Sequence, residues 1–182
     1  MAERAGGVYA RMDGRPYTRV SNKKPRKAYV KGVPHNRIHN FESGTKRNDY
    51  TVELILRAQR EVQIKHNALE AARVAVTKTL SPLGNQYFMK IRTYPHHVLR
   101  ENPLATGAGA DRFSTGMSKA FGKIVGRSAR VTKNQAIISV NVKKDQIVLA
   151  KNALRKASMK LPIPCRTEIK ELAEGSKTAA SK

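Results

Sequence analysis

The sequence predicts a single α+β domain with a mainly antiparallel sheet and two helices, preceded by an extended basic arm and interrupted by a long glycine-rich loop. Three observations predict it. Several short segments alternate apolar and polar residues with the two-residue period of strands. Two longer segments, 67–80 and 145–160, carry an apolar stripe at helical spacing. Two further stretches, 1–49 and 95–126, are broken by glycine and proline and show almost no apolar period.

Taken in order, residues 1–49 are interrupted by Gly6, Gly7, Gly14, Pro16, Pro25, Gly32, Pro34 and Gly44. They read as an arm that becomes ordered on meeting phosphate. Its candidate phosphate contacts are Arg15, Arg19, Lys23, Lys24, Arg26, Lys27, Lys31 and Arg37. The spaced rings of Tyr9, Tyr17, Tyr29 and Phe41 can stack or pack, which a plain flexible tail would not need. Ordered sequence, predicted over 50–170, opens with Val52, Leu54, Leu56 and Ala58 as a half-buried strand, and Val62 with Ile64 as a shorter one. Asn67 is the expected cap of a helix whose buried stripe is Leu69, Ala72, Val76 and Leu80, and Pro82 with Gly84 stop it. Tyr87, Met89, Ile91 and Thr93 form another strand. After the loop of 95–126, strands follow at Ser128–Thr132 and Ala136–Lys143. Asp145 is the expected cap of the second helix, with Ile147, Ala150, Leu154 and Ala157 buried. Pro162 and Pro164 end that helix, Cys165–Ile169 add an edge strand, and 171–182 form a polar tail.

The 36 Lys and Arg against 13 Asp and Glu leave a formal charge of +23 on 182 residues. The excess is spread: +8 over 1–49, +5 over 50–100 and +10 over 101–182. Such a density repels itself unless a polyanion neutralises it, and solubility alone does not require it. No apolar run approaches the ~20 residues of a spanning helix. No basic amphipathic segment carries the Trp or Phe of a membrane-surface anchor. A cytoplasmic, nucleic-acid-binding protein with no membrane partner is expected.

Catalytic patterns fail on inspection. Gly116 to Gly122-Lys123 has five intervening residues where a phosphate-binding loop has four, and Ile124 replaces the hydroxyl residue that would hold magnesium. Gly107-Ala108-Gly109 has neither a preceding strand of the dinucleotide-binding type nor a third glycine. His35, His39, His66, His96 and His97 lack the helical pairing and nearby carboxylates of metal hydrolases. Asp111 and Glu101 are expected to partner Arg112 and Arg100, and the single cysteine, Cys165, to be a buried strand thiol. No enzyme, metal, cofactor or small-molecule substrate is expected.

The loop suits RNA better. Its glycines allow positive φ and close backbone approach, and Arg112, Lys119, Lys123, Arg127 and Arg130 offer phosphate contacts. Helix-turn-helix, zinc-finger and zipper patterns are absent, as is the aromatic signature of an RNA recognition motif. A free RNA chaperone or packaging protein would explain the charge but not a glycine-rich insertion within one domain. A modifying enzyme built on the same platform would need a polar catalytic cluster that the sequence does not show.

The motifs then align with a known family. Gly109-Ala110-Asp111-Arg112, Thr115-Gly116-Met117, Ala120-Phe121-Gly122-Lys123, Gly126 and Ala129-Arg130-Val131 carry the strongest match. Lys31-Gly32-Val33-Pro34, Ala68 through Arg73, and Pro95 through Asn102 support it, in the same order over roughly residues 8–170. The chain resembles the L-sixteen family of large-subunit ribosomal proteins, in its archaeal and eukaryotic branch (L-ten-e). The resemblance implies an α/β-hammerhead-like domain in the large subunit, beside the A-site cleft. It implies binding to large-subunit ribosomal RNA, proximity to A-site and P-site transfer RNA, and neighbouring large-subunit proteins as partners. It also implies that a loop of Asn102, Thr106, Gly107, Ala108, Gly109, Ala110, Asp111, Arg112 and Gly116 reaches toward the peptidyl-transferase centre. The sequence lacks the longer C-terminal extension of eukaryotic members, which favours an archaeal source.

Overall fold

A computed structural model describes residues 6–12, 14–20, 23–27, 29–47, 49–105, 107–114 and 116–172. The elements are β1 (Glu42–Gly44), β2 (Val52–Ala58), β3 (Val62–Lys65), α1 (His66–Leu80), β4 (Phe88–Ile91), β5 (His97–Glu101), α2 (Ala110–Phe113), β6 (Lys123–Val131), β7 (Ala136–Val142), α3 (Ile147–Ser158) and β8 (Cys165–Glu171). The fold is α+β, with every strand pairing antiparallel, but the strands form two sheets. Five order as β1-β4-β7-β2-β8 and three as β3-β6-β5. Alternation in sequence tells which residues share a face of a strand and is silent on which strands pair, so one expected sheet becomes two.

The two stripes meet as their spacing requires. Leu69, Ala72, Val76 and Leu80 of α1 and Ala150, Ala153, Leu154 and Ala157 of α3 are fully buried. They join Leu54 and Leu56 of β2, Ile138, Val140 and Val142 of β7, Ile64 of β3, and Ala129 and Val131 of β6 in one core. Both helices begin differently from expectation. α1 follows β3 directly through Lys65 (φ −63°, ψ 147°), with no side-chain cap, so Asn67 lies inside it. Asp145 falls in a 3-10 turn, Lys144–Gln146, and Gln146 occupies the cap of α3 without a side-chain bond. In both places the preceding segment delivers the chain already turned, and the capping hydrogen bond is absent.

The expected loop of 95–126 is shorter, spanning 102–122 between β5 and β6. β6 begins at Lys123, five residues before the predicted strand, because Arg100 and Glu101 pair with Ile124 and Lys123 across a bulge at Leu99. The small sheet's second face is polar, which hides the strand period from a search for apolar alternation. Within 1–49, the structure places β1 against β4, and buries Val30 and Ile38 to 1% exposure.

At the foot of the loop, Gly122 passes so close to β5 that an added Cβ would lie 2.6 Å from the backbone carbon and oxygen of Glu101. Gly122→Ala is therefore expected to cost about 2 kcal/mol or more in thermal or denaturant unfolding. Gly7→Ala, with open space around it, should leave stability within about 0.5 kcal/mol.

Candidate nucleic-acid interface

The three-stranded sheet turns one face to the core and the other to the arm. Ala129 and Val131 of β6 point to the core, while the alternating Ser128 and Arg130 bond toward the arm side. Ser128 Oγ donates to Gln63 Oε1 (3.2 Å), and the Gln63 side-chain amide donates to the carbonyl of Arg11. The Gln63 backbone N–H donates to the carbonyl of Ala10 (3.2 Å). Arg130 donates to the carbonyl of Gly14 (2.9 Å). At the opposite edge the Val98 N–H donates to the carbonyl of Tyr17 (2.9 Å), and the Tyr17 N–H donates to His97 Nδ1 (2.7 Å). The arm thus crosses the sheet from β3 to β5, held by backbone groups at both edges and by one guanidinium between.

From that crossing an alternation of rings and guanidinium groups leads to the loop. Arg100 on β5 lies between the rings of Tyr17 (5.1 Å) and Phe121 (4.4 Å), and donates to the carbonyl of Gly122 (2.8 Å). Tyr17 meets Tyr29 edge-on at 5.6 Å, and Arg19 sits 5.9 Å from the Tyr29 ring. The expected pairing of Arg100 with a loop acid is replaced by these contacts. A planar guanidinium stacks on rings as a carboxylate cannot. Arm, sheet and loop base are one packed unit here.

The cations named from sequence divide accordingly. Arg15, Arg19, Lys23, Lys24, Arg26, Lys27, Lys31 and Arg37 are exposed along the arm, and Lys119 and Lys123 are exposed at the end of the loop. Arg127 and Arg130 are half-buried on β6. Arg26, Lys31 and Arg127 come together with His35 and His39 around a groove of about 1070 Å³ that Phe41 and Tyr94 also line. Phe41 stacks on Tyr94 at 5.1 Å, and Tyr94 packs against His96 at 4.4 Å. Arg130 commits one nitrogen to the arm itself.

In the loop, Gly107, Gly109 and Gly116 take φ of 121°, 78° and 61°, with open space where a side chain would stand. Ala110, Asp111 and Arg112 form the single turn of α2, with Gly109 before it, while Asn102 is half-buried and Ala108 exposed. Thr106 lies outside the described residues. Lys119 has φ +55°, which a non-glycine residue rarely adopts. Phe113 (84% exposed) and Met117 (77% exposed) stand out from this segment.

Three of the acids pair with cations on or beside the strands of the larger sheet. Lys90 holds Glu42 at 2.7 Å and Arg92 holds Glu53 at 2.5 Å, while Arg57 pairs with Glu168 across β2 and β8. Hydrogen bonds from Lys90 and Arg57 hold the carboxyls of Glu42 and Glu168 below the usual range. Among the described residues no group of three His, Cys, Asp or Glu could hold a metal. Burial pushes the half-buried Cys165 thiol up to about 11, so it stays protonated at neutral pH and is a poor nucleophile. No helix among the described residues is long and apolar enough to cross a membrane.

The sequence family described as ribosomal protein L16p/L10e matches residues 17–168, from the arm's crossing point to the last strand. The chain belongs to this family. Large ribosomal subunit protein uL16 of Hyperthermus butylicus is 48% identical, over 92% of this chain and 90% of its own length. The uL16 proteins of Staphylothermus marinus (46% identical, 97% and 99% covered) and Picrophilus torridus (44% identical, 100% and 98% covered) are similar throughout. A ribosomal L16p/L10e protein is a structural component rather than an enzyme, in keeping with the failed catalytic patterns.

Sequence reasoning missed Arg100 and His97 as parts of the interface. From sequence, Arg100 reads as an ion-pair partner, His97 as a weak metal-ligand candidate, and both as part of the family-like stretch Pro95 through Asn102. The available signal was their place beside the ring-bearing arm, legible once β5 is known to be a strand.

Burial, and then the charge of Arg130, hold His97 below the usual imidazole value, and its Nδ1 must stay unprotonated to accept from Tyr17. A depressed imidazole contributes stability that is present above its unfolded value near 6.5 and is lost as pH falls through the folded one. NMR of the free chain should show the His97 ring titrating below ~6.5, with the Tyr17 amide moving in the same transition. A Tyr17 amide indifferent to that titration would contradict the bond.

Proposed function

We propose that the chain is a constituent of the large ribosomal subunit in the cytoplasm, binding large-subunit ribosomal RNA and helping to position transfer RNA beside the A-site cleft. The observation that carries this reading is the mechanical joining of two basic segments on β5 and β6. The arm is clasped across the small sheet, and the loop springs from the next turn of the same sheet. RNA bound along Arg15, Arg19, Lys23, Lys24, Arg26, Lys27, Lys31 and Arg37 would fix the orientation of residues 102–122. Lys119, Lys123, Arg127 and Arg130 extend the phosphate-binding surface from the arm to the loop root, and Arg112 supplies a cation near its tip.

Family membership supports the address, since the similar proteins are named as large-subunit proteins. Two antiparallel sheets with both long helices packed in one core suit the α/β-hammerhead-like description. The glycines of the tip suit close approach to RNA near the peptidyl-transferase centre, where A-site and P-site transfer RNA would meet it. The chain would do no chemistry there. It would hold RNA walls in place through charge, with neighbouring large-subunit proteins completing its surroundings.

Sedimentation of a cell extract in magnesium and high salt tests the address. Comigration with the large subunit is expected, and release to the top of the gradient would favour a free RNA chaperone. For the loop, Arg112→Ala, Lys119→Ala and Lys123→Ala combined should lower the salt slope of RNA binding by roughly two to three. The same triple variant should slow translation while leaving the melting temperature within a few degrees, because all three side chains are exposed. A triple variant that melts early would make these residues supports of the fold.

A further inference from the structure

The outer side of the helix pair carries a groove remote in chemistry from the RNA surface. It lies between α1 and α3 and measures about 1060 Å³. Its apolar lining comes from Ala71, Val74 and Ala75 of α1 and Met159 just beyond α3. Val74 is 47% exposed and Met159 70%, whereas Leu69, Ala72, Val76 and Leu80 of α1 are fully buried. The alanines leave room for a backbone to approach, and methionine adapts its shape to whatever packs on it.

The rim is cationic. Lys78, Lys156 and Lys160 line the groove, and none of the three has an ion-pair partner among the described residues. The one carboxylate lining it, Glu70, is held by Arg73 through two hydrogen bonds of 2.9 and 2.6 Å. Of the residues put forward for RNA, only Arg37 reaches it, at one end. No aromatic ring lines it on which a base could stack. Hydrated phosphate laid over valine and methionine would gain nothing from them. A partner that gains from both floor and rim must be apolar along one stripe and acidic on its flanks.

We propose that this groove docks an acidic amphipathic helix of a neighbouring large-subunit protein. The helix lays apolar residues at i, i+3, i+4 and i+7 against Val74 and Met159, while its flanking carboxylates meet Lys78, Lys156 and Lys160. The inference rests on the chain's being a subunit constituent, and not on where RNA binds it.

The test uses the full chain with its methionine methyl groups labelled for NMR. Met159 reports on the groove and Met117 on the loop. The probe is a stapled helical peptide with leucines at the stated spacing and glutamates on both flanks, set against a scrambled peptide of identical composition. Saturable movement of Met159 is expected, roughly tenfold tighter for the patterned peptide. Val74→Asp should abolish it without lowering the melting temperature by more than a few degrees, since that side chain is half exposed. Equal response to both peptides, no response, or displacement of the peptide by an RNA duplex from Met159 would each overturn the proposal. An RNA that moves neither Met117 nor Met159 would instead count against the RNA reading, and would leave peptide docking standing.

Discussion

Strand β6 is the constraint on which the rest of this molecule hangs. It is the central strand of the small sheet, and its nine residues serve three masters. Ala129 and Val131 must be apolar to close the core against the helices. Ser128 and Arg130 must be polar because the arm's backbone crosses their face and supplies carbonyl acceptors. The buried Ser128 hydroxyl is tolerable there because it bonds Gln63, and a hydrogen bond broken on one side would strand the other. The arm is therefore part of the fold at Ala10, Arg11, Gly14 and Tyr17. Arm and loop share a foundation, and that sharing would let a small basic protein relate the two RNA contacts proposed for them.

Charge imposes the second constraint. A molecule at +23 has few anions to distribute, and one of them is spent where two cations face each other across strands. Arg57 stands directly opposite Arg166 in the β2–β8 pairing, and Glu168, opposite Ile55 on the same edge strand, binds Arg57 and relieves the repulsion. Glu42 and Lys90 are direct cross-strand partners in β1–β4. Exposed pairs of this kind are individually weak. Their effect is to neutralise cations on and beside the strands of the larger sheet.

What the sequence made legible follows from range. The stripes of α1 and α3 depend on residues three and four apart, and Leu69, Ala72, Val76 and Leu80 were readable for that reason. β2, β7 and the edge position of β8 were equally local. The cap residues misled because Asn67 and Asp145 have the right chemistry, while the chain enters each helix from a strand or a 3-10 turn that supersedes a side-chain cap. β5 and the first half of β6 were invisible because residues 123–127 hold an exposed valine and a buried glycine, and His97 on β5 finds its partner Tyr17 80 positions away. The same distance concealed Arg100. Its role is set by Tyr17 and Phe121, which only the folded chain brings to either side of it.

Aromatic groups are few, and their position matters more than their number. Tyr17, Tyr29 and Phe121 share the Arg19 and Arg100 guanidinium groups, and Phe41, Tyr94 and His96 form a second stack beside the basic groove. Neither cluster requires RNA to form. Rings already held by guanidinium groups and by one another lose little freedom when a ligand arrives, so the surface is organised before binding. The molecule thus divides its labour: stacked rings and the clasp on β6 set geometry in advance, and the proposed phosphate contacts would add charge to a surface already shaped.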